Sequence, residues 1–163
     1  SSIKDQAITR SKLHTTENYV ANGELSLEHE LELYKDVTLT AAQLDTLAAT
    51  PVSLIAAPGS GKLLLVSKVI GFLDFNSAAY AGSSEVLSIR YTNGSGSLIC
   101  AFSETTFLEA SADAWEAPAM PVCNPVVNAA VVATANADFT TGDSPIYLRL
   151  YYRIVTSTLN NTP

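Results

Sequence analysis

The chain has 163 residues, a formal net charge of -7 at pH 7 and a hydrophobic share of 47%. This length suits one domain with its own core plus an extension, and this hydrophobic share excludes a chain that is disordered throughout. The basic residues are few and scattered, so we expect no nucleic-acid partner, because phosphate binding needs clustered Lys and Arg. No apolar run is long enough to span a bilayer and no basic and apolar leader opens the chain, so we expect a soluble protein with neither a membrane partner nor a signal peptide.

Residues 1–35 differ in composition from the rest and are predicted to form an N-terminal arm, with residues 36–163 as the folded domain. The apolar residues of the arm are too scattered to build a core. In its second half, apolar and polar residues alternate, as in a strand with one buried face. We expect this stretch to add to the edge of a sheet, in its own subunit or in a neighbour. Four leucines share its apolar face and are interface candidates: Leu25, Leu27, Leu31 and Leu33.

The two histidines, His14 and His29, both lie in the arm. No Cys or second His stands near either at ligand spacing, so we predict that His29 is a packing residue and that the chain holds no metal. Cys100 and Cys123 also stand apart. We interpret them as small buried hydrophobic residues in a reducing compartment, and the sequence leaves a disulfide between them open.

The body predicts one helix and a series of strands. Thr40 and Gln43 form a capping-box pattern, which predicts a helix over Ala41–Ala49 that ends before Pro51. Runs rich in Val, Ile, Leu and Tyr, separated by Gly, Asn and Pro, predict strands. These are Val52–Ala57, Lys62–Phe75, Glu85–Tyr91, Ser97–Phe102, Val126–Thr134 and Ile146–Val155. The pattern favours an all-β fold, an antiparallel, jelly-roll-like β-sandwich with one short helix and an extended N-terminal arm.

The last predicted strand has two distinct faces. Its even-numbered positions, from Ile146 to Ile154, are apolar and predict a core face. Its odd-numbered positions are amphipathic and aromatic, which favours contact with a partner. The interface candidates on that face are Tyr147, Arg149, Tyr151 and Arg153. The stretch Phe107–Pro125 predicts a long loop across the sandwich, in which Trp115 either fills a gap or anchors an interface.

Two sequence patterns are similar to known ligand-binding motifs but lack residues that those motifs require. The stretch Ala57–Lys62 is similar to a phosphate-binding loop, but Ala56 replaces its first glycine and Leu63 replaces its Ser or Thr. A strand also follows where a helix should begin, so we predict a Gly-rich turn. Asp138 and Asp143 lack calcium-loop spacing and are expected to cap loops. We therefore expect no catalytic residue, no cofactor and no metal site, and thus no enzyme.

Several stretches, taken in chain order, resemble a family of small tailed-bacteriophage virion proteins, and the similarity covers about residues 37 to 157. They are Leu39–Leu44, Thr50–Lys62, Tyr91–Gly96, Asn128–Val132 and Thr141–Ser144 with the strand after it. The resemblance implies a structural, non-enzymatic β-protein, commonly trimeric, of the head-decoration or fibre type. Separately, Ile3–Leu13 is similar to short attachment stretches near the start of phage fibre proteins.

The resemblance leads to the expectation of a homotrimeric capsid decoration or cement subunit in the virion, assembled in the host cytoplasm. Residues 1–35 would then bind the capsid or another virion protein. The alternative is a head- or tail-fibre module that binds a carbohydrate or receptor, because β-sandwiches often bind sugars and exposed aromatic rings stack on them.

Overall fold

The computed structural model describes residues 32–81 and 86–157. These residues form eight strands and one short helix. In chain order they are β1 (Leu33–Leu39), α1 (Ala41–Leu44), β2 (Val52–Ile55), β3 (Lys62–Leu73), β4 (Leu87–Tyr91), β5 (Leu98–Ala101), β6 (Ala114–Glu116), β7 (Val131–Ala135) and β8 (Ile146–Thr156). A π-helical turn, Glu104–Leu108, lies between β5 and β6.

The strands form two four-stranded antiparallel sheets. Sheet A has the order β1-β8-β3-β6, and sheet B has the order β2-β7-β4-β5. The first strand therefore pairs with the last, the second with the seventh, the third with the sixth and the fourth with the fifth. This nested pairing is the connectivity of a double-sheet jelly roll. The prediction of an all-β antiparallel sandwich is confirmed.

The core lies between the two sheets and is built from alternate residues of their strands. In β8, Ile146, Leu148 and Leu150 are buried, as predicted for its even-numbered positions. Tyr91 of sheet B is fully buried, and its hydroxyl donates a hydrogen bond of 2.7 Å to the carbonyl oxygen of Leu64 in sheet A. This bond gives a buried polar group its partner and ties the two sheets together, while burial raises the pKa of Tyr91 to about 12.

A bulge at Ser67 sets which residues of β3 face the core. The register of β3 against β8 shifts between Val66 and Lys68, so Ser67 is an extra residue in the strand. Leu64 and Val66 are buried before the bulge, whereas Val69 and Leu73 are buried after it. The bulge thus moves the core face from even to odd positions, and one strand keeps its apolar side inward along its whole length.

The predicted helix over Ala41–Ala49 is shorter than expected. Thr40 and Gln43 form the predicted capping box, but α1 ends at Leu44. Turns follow, and the backbone N–H of Ala48 donates to the Asp138 carboxylate at 2.9 Å. The prediction of a longer helix was wrong because this contact with another part of the chain replaces a further helical turn.

Two strand predictions also need correction. The strand predicted over Val126–Thr134 begins only at Val131. Asn128 has a φ of 53°, a left-handed conformation that interrupts an extended run, and its N–H donates to the Lys62 carbonyl at 2.7 Å. The predicted long loop Phe107–Pro125 contains β6, which pairs with the end of β3. The remaining predicted strands differ from the observed ones only at their ends, and Glu85 lies outside the described residues.

Candidate interaction surface on the outer face of sheet A

Three aromatic side chains form a row across the solvent-facing side of sheet A. We call Trp115 of β6, Phe72 of β3 and Tyr147 of β8 the aromatic row, because Phe72 lies opposite both of the others in the register. The Phe72 ring centroid lies 4.3 Å from that of Trp115 and 6.1 Å from that of Tyr147, and both pairs are stacked. Trp115 is 72% exposed and Tyr147 is 44% exposed. Trp115 therefore does not fill a gap in the core.

A charged pair lies beside the aromatic row. Arg149 of β8 faces Asp36 of β1 and donates two hydrogen bonds to its carboxylate, from Nε to Oδ1 and from Nη2 to Oδ2, each 2.7 Å long. These hydrogen bonds hold the pKa of Asp36 below its usual value. Both side chains are about half exposed, so the pair adds little to stability and mainly fixes the direction of the guanidinium group.

Two tyrosines continue the surface towards the start of β1. The Arg149 guanidinium lies 4.8 Å from the centre of the Tyr34 ring, and this ring lies 6.3 Å from that of Tyr151. Tyr34 is 62% exposed. The outer face of sheet A therefore carries a continuous set of large side chains. Its members are Trp115, Phe72, Tyr147, Ile70, Arg149, Asp36, Tyr34, Tyr151, Lys68, Leu65 and Arg153.

A shallow cleft of about 320 Å³ lies on this face. The aromatic row and the Arg149–Asp36 pair both line it, together with Thr38 and Ile70. Flat aromatic side chains next to hydrogen-bonding groups suit contact with either a protein surface or a flat ligand that carries hydroxyl groups.

The structure places the predicted interface candidates as follows. Tyr147, Arg149, Tyr151 and Arg153 share the outer face, and Trp115 joins them through Phe72. Leu33 is 39% exposed and lies opposite Tyr152, on the core-facing side of the edge strand. The other candidates lie outside the described residues, as do both histidines: Leu25, Leu27, Leu31, His14 and His29.

Sequence reasoning missed the other members of this surface, which are Phe72, Ile70, Leu65, Lys68, Tyr34 and Asp36. Tyr34 and Asp36 lie on either side of the predicted arm boundary at residue 35, although β1 runs through it from Leu33 to Leu39. The alternation of Tyr34, Asp36 and Thr38 with Val37 and Leu39 was the signal that could have placed them on one strand.

The Gly-rich stretch before β3 is a turn, as predicted. Gly59 and Gly61 have φ values of 100° and 71°, which favour glycine, and β3 begins directly at Lys62. The N–H of Gly59 donates to the side-chain oxygen of Asn128 at 3.0 Å. This donor is therefore already engaged in holding the turn against the loop before β7.

Asp143 caps a loop, as predicted. Its carboxylate accepts hydrogen bonds from the backbone N–H groups of Ser77 and Ala78, the Ser77 hydroxyl and the Asn76 side chain. These bonds, led by that from the Ser77 hydroxyl, lower the pKa of Asp143 to about 2. Within residues 32–81 and 86–157, no group of His, Cys, Asp or Glu side chains is placed to hold a metal ion.

The two cysteines are free thiols. Cys100 is fully buried, and burial raises its pKa to about 12, so it stays protonated and unreactive near neutral pH. Cys123 is partly buried against the core. In the part of the chain that the structure describes, no helix is long and apolar enough to cross a membrane.

Comparison with known proteins gives little further guidance. No family model matches the chain, and no curated protein matches it. One solved structure, described as "Cyanophage Pam1 capsid asymmetric unit", contains a chain that is 15% identical with a TM-score of 0.45. The match covers 85% of this chain and 94% of that chain. At this level of similarity it supports no conclusion about function.

Proposed function

We propose that the protein is a non-enzymatic structural subunit of a bacteriophage virion, most specifically a trimeric capsid decoration or cement protein attached through residues 1–35. The virion assignment rests on the sequence resemblance described above. The observation that carries a structural role is the outer face of sheet A. It exposes a continuous set of large aromatic, aliphatic and charged side chains, and it belongs to the sheet whose edge strand, β1, includes the last three residues of the arm.

The composition of this face suits contact between subunits. Exposed Trp, Tyr and Arg side chains are the types that most often dominate protein interfaces. The Arg149–Asp36 pair is internally neutral, which lowers the cost of removing this part of the surface from water. Trp115 and Tyr147 would be covered by neighbouring copies in the trimer, and the stoichiometry of three follows the family resemblance.

Glu32, the residue just before β1, contacts sheet A. Its carboxylate is bonded to the Ser67 hydroxyl in the bulge of β3. This contact reaches across β8, because β8 lies between β1 and β3. The described part of the chain is therefore held against sheet A from its first residue, Glu32.

The oligomeric state is tested by light scattering and native mass spectrometry of the full chain at micromolar concentration. We expect the mass of a trimer, and we expect the double substitution Trp115→Ala and Tyr147→Ala to give monomers. Val122→Ala is the matched control, because Val122 is fully exposed but lies outside the strands of sheet A. A monomeric mass for the unmodified protein would refute self-association through this face.

Attachment by the arm is tested with protein that lacks residues 1–20. We expect it to remain folded and trimeric but to be absent from virions, as seen by imaging of labelled protein on intact particles. Full occupancy by the shortened protein would show that the arm does not attach the subunit. Failure to fold would instead place the arm in the core.

The cleft favours a second candidate function, the binding of a carbohydrate. A sugar ring can stack on the aromatic row while its hydroxyl groups bond to Asp36 and Arg149. Trp115 is the only tryptophan in the chain, so its fluorescence reports directly on this cleft. Glucose, galactose, rhamnose and N-acetylglucosamine are suitable probes. A saturable change of emission with one of them, lost in Tyr147→Ala, would favour this function, whereas a change with protein concentration alone would favour subunit packing.

A further inference from the structure

Positive and negative charges are separated along the chain. Between Arg90 and Arg149 the sequence contains six acidic residues and no Lys or Arg. Among the described residues, every Lys and Arg except Arg90 belongs to a strand of sheet A. They are Lys35 of β1, Lys62 and Lys68 of β3, and Arg149 and Arg153 of β8. Because these three strands are adjacent, folding gathers the basic residues on one sheet of an acidic protein.

Three of these basic side chains, those of Lys68, Arg149 and Arg153, lie on the outer face of sheet A. With Asp36 and Glu32 counted against them, this face keeps one excess positive charge, in a chain whose net charge is -7. Arg149 is paired with Asp36. Lys68 and Arg153 are exposed, and neither forms a salt bridge with another described residue. These two cations are therefore free to meet a carboxylate of a partner.

An acidic edge, which we define as Glu104, Glu109 and Asp113, lies beside β6. The N–H of Glu109 donates to the carbonyl of Glu104 at 2.9 Å, so the π-helical turn holds both residues. This turn packs against β6, and Asp113 directly precedes that strand. The Glu116 carboxylate accepts hydrogen bonds of 3.0 and 3.1 Å from the Ser103 N–H, which ties the turn to β6. No residue of the acidic edge forms a salt bridge with another described residue.

We propose that the outer face of sheet A in one copy of the chain docks against the acidic edge of a second copy, with Lys68 and Arg153 opposite its carboxylates. The inference rests on the proposed function, which takes this face as the contact between subunits. The exposed aromatic rings supply the contact area, and the complementary charges select which surface of the neighbour they meet.

Such a contact joins two different surfaces, so each copy uses its sheet A face for one neighbour and its acidic edge for another. Contacts of this kind close into rings where the rotation between copies allows it, and a ring of three is one such assembly. A face-to-face contact would instead bring together two surfaces with the same excess charge and would stop at two copies. The charge pattern therefore favours the face-to-edge arrangement.

The salt dependence of association is the first test, made on the unmodified full chain by light scattering and native mass spectrometry. Dissolved salt screens exposed charges but does not weaken apolar contacts. We expect the dissociation constant of the assembly to rise at least tenfold, on the order of the effect of losing such charge pairs, between about 50 mM and about 500 mM sodium chloride. Association that stays constant or becomes tighter over this range would refute the electrostatic pairing.

Charge reversal on sheet A is the second test. Lys68→Glu with Arg153→Glu should weaken association by at least about tenfold, because like charges would then meet across the contact. The matched control is Lys35→Glu with Lys62→Glu. It changes the net charge equally and uses exposed residues of the same sheet, but these lie on the opposite side from Lys68. We expect the control to associate normally, and equal weakening in both variants would refute the proposed contact.

Exchange of the charges between the two surfaces identifies the partner surface. Glu104→Lys with Glu109→Lys should also weaken association, whereas all four reversals in one chain should restore it, since this chain has the unmodified net charge. Circular dichroism checks that each variant is folded. A combined variant that associates no better than either pair would refute the pairing of these surfaces. If the variant of the π-helical turn does not fold, the first two tests still decide, because they leave the turn unchanged.

Failure of this inference differs from failure of the proposed function. An assembly that withstands high salt and tolerates the reversals at Lys68 and Arg153 would keep the sheet A face as a subunit contact and refute only the acidic edge as its partner. An unmodified protein that is monomeric at low salt would refute both, and would leave the face to a different partner.

Discussion

The outward-facing sides of the two sheets are built differently. On sheet B the outward positions of β4 and β7 other than Arg90 carry small or medium side chains, and Ser88, Val132 and Thr134 are each at most 6% exposed. The loop between β4 and β5 lies against part of this face: Gly94 approaches the Thr134 side chain, and the Arg90 guanidinium donates to the Gly96 carbonyl at 3.0 Å. Sheet A carries large aromatic and charged side chains outward, and Trp115 and Tyr34 are more exposed than not.

This difference shows which surface the chain itself covers. On sheet B the outward-facing Ser88, Val132 and Thr134 are buried within the domain, so these side chains belong to the fold. The outer face of sheet A keeps its largest side chains in solvent in the described part of the chain, and these are the side chains that lose most water when a partner binds. Substitutions on sheet B should therefore change stability, and substitutions on sheet A should change association.

The largest expected effect comes from displacing the β4–β5 loop from sheet B. A Cβ atom at Gly96 would lie 1.6 Å from the backbone oxygen of Tyr91, so Gly96→Ala forces the β4–β5 loop to move. We expect a loss on the order of 3 kcal/mol in the free energy of unfolding, measured by urea denaturation. Gly94→Ala is the control. A Cβ atom at Gly94 would lie 3.1 Å from the Thr134 hydroxyl oxygen, its nearest neighbour, so the loss in the free energy of unfolding should be smaller. Equal losses would contradict the role of this loop in the stability of sheet B.

A reciprocal exchange of side-chain size compares the two faces directly. Thr134→Tyr inserts a large ring under the β4–β5 loop of sheet B and should lower the free energy of unfolding by about 1–3 kcal/mol. Tyr147→Thr removes a ring that is 44% exposed and should change it by less than about 1 kcal/mol. The measured mass of the assembly should fall for Tyr147→Thr. Similar stability losses in the two variants would remove the distinction between the faces.

The next effect concerns pH. The pKa of Asp143 is lowered from 3.8 to about 2 in the folded protein, so the stability it contributes is present above about pH 4 and is lost as the pH falls towards 2. Asp143→Asn should lower the thermal unfolding midpoint at neutral pH. It should also reduce the fall of this midpoint between about pH 4 and pH 2. Parallel profiles for the two proteins would show that this loop cap does not contribute to acid unfolding.

The smallest effect is expected at the exposed pair on sheet A. Hydrogen bonds from Arg149 lower the pKa of Asp36, but both groups are well exposed. Asp36→Asn should leave the thermal midpoint almost unchanged, because solvent screens such pairs. The NMR signal of the Arg149 Nε–H group should nevertheless shift, since it loses its ionic acceptor. A large drop in the midpoint would mean that sheet A depends on this pair as sheet B depends on its loop.

Local patterns predicted the strands whose two faces differ most. β8 alternates between buried aliphatic residues and exposed aromatic or charged ones, so its position and both faces follow from the sequence. The turns at Gly59 and Gly61 were also readable, because only glycine adopts their φ values easily.

Features of the fold that depend on a partner far away in the chain could not be predicted from local sequence patterns. β6 has only three residues and exposes Trp115, so it is a strand only because β3 lies beside it. The Ser67 bulge changes the parity of β3 with no local signal such as Gly or Pro. The aromatic row joins three strands that are far apart in the chain, so its assembly requires the register of sheet A, which no single segment contains.

The nested strand pairing also determines the order in which the domain can fold. β8 is the last of the eight strands to be synthesised, yet it lies between β1 and β3 in sheet A. Until β8 leaves the ribosome, β1 has no neighbour within its sheet, and the contact that closes the sheet spans most of the chain. Such long-range pairing makes folding slow. During synthesis β1 therefore has no partner strand, and the newly made chain cannot complete the outer face of sheet A before translation has passed β8.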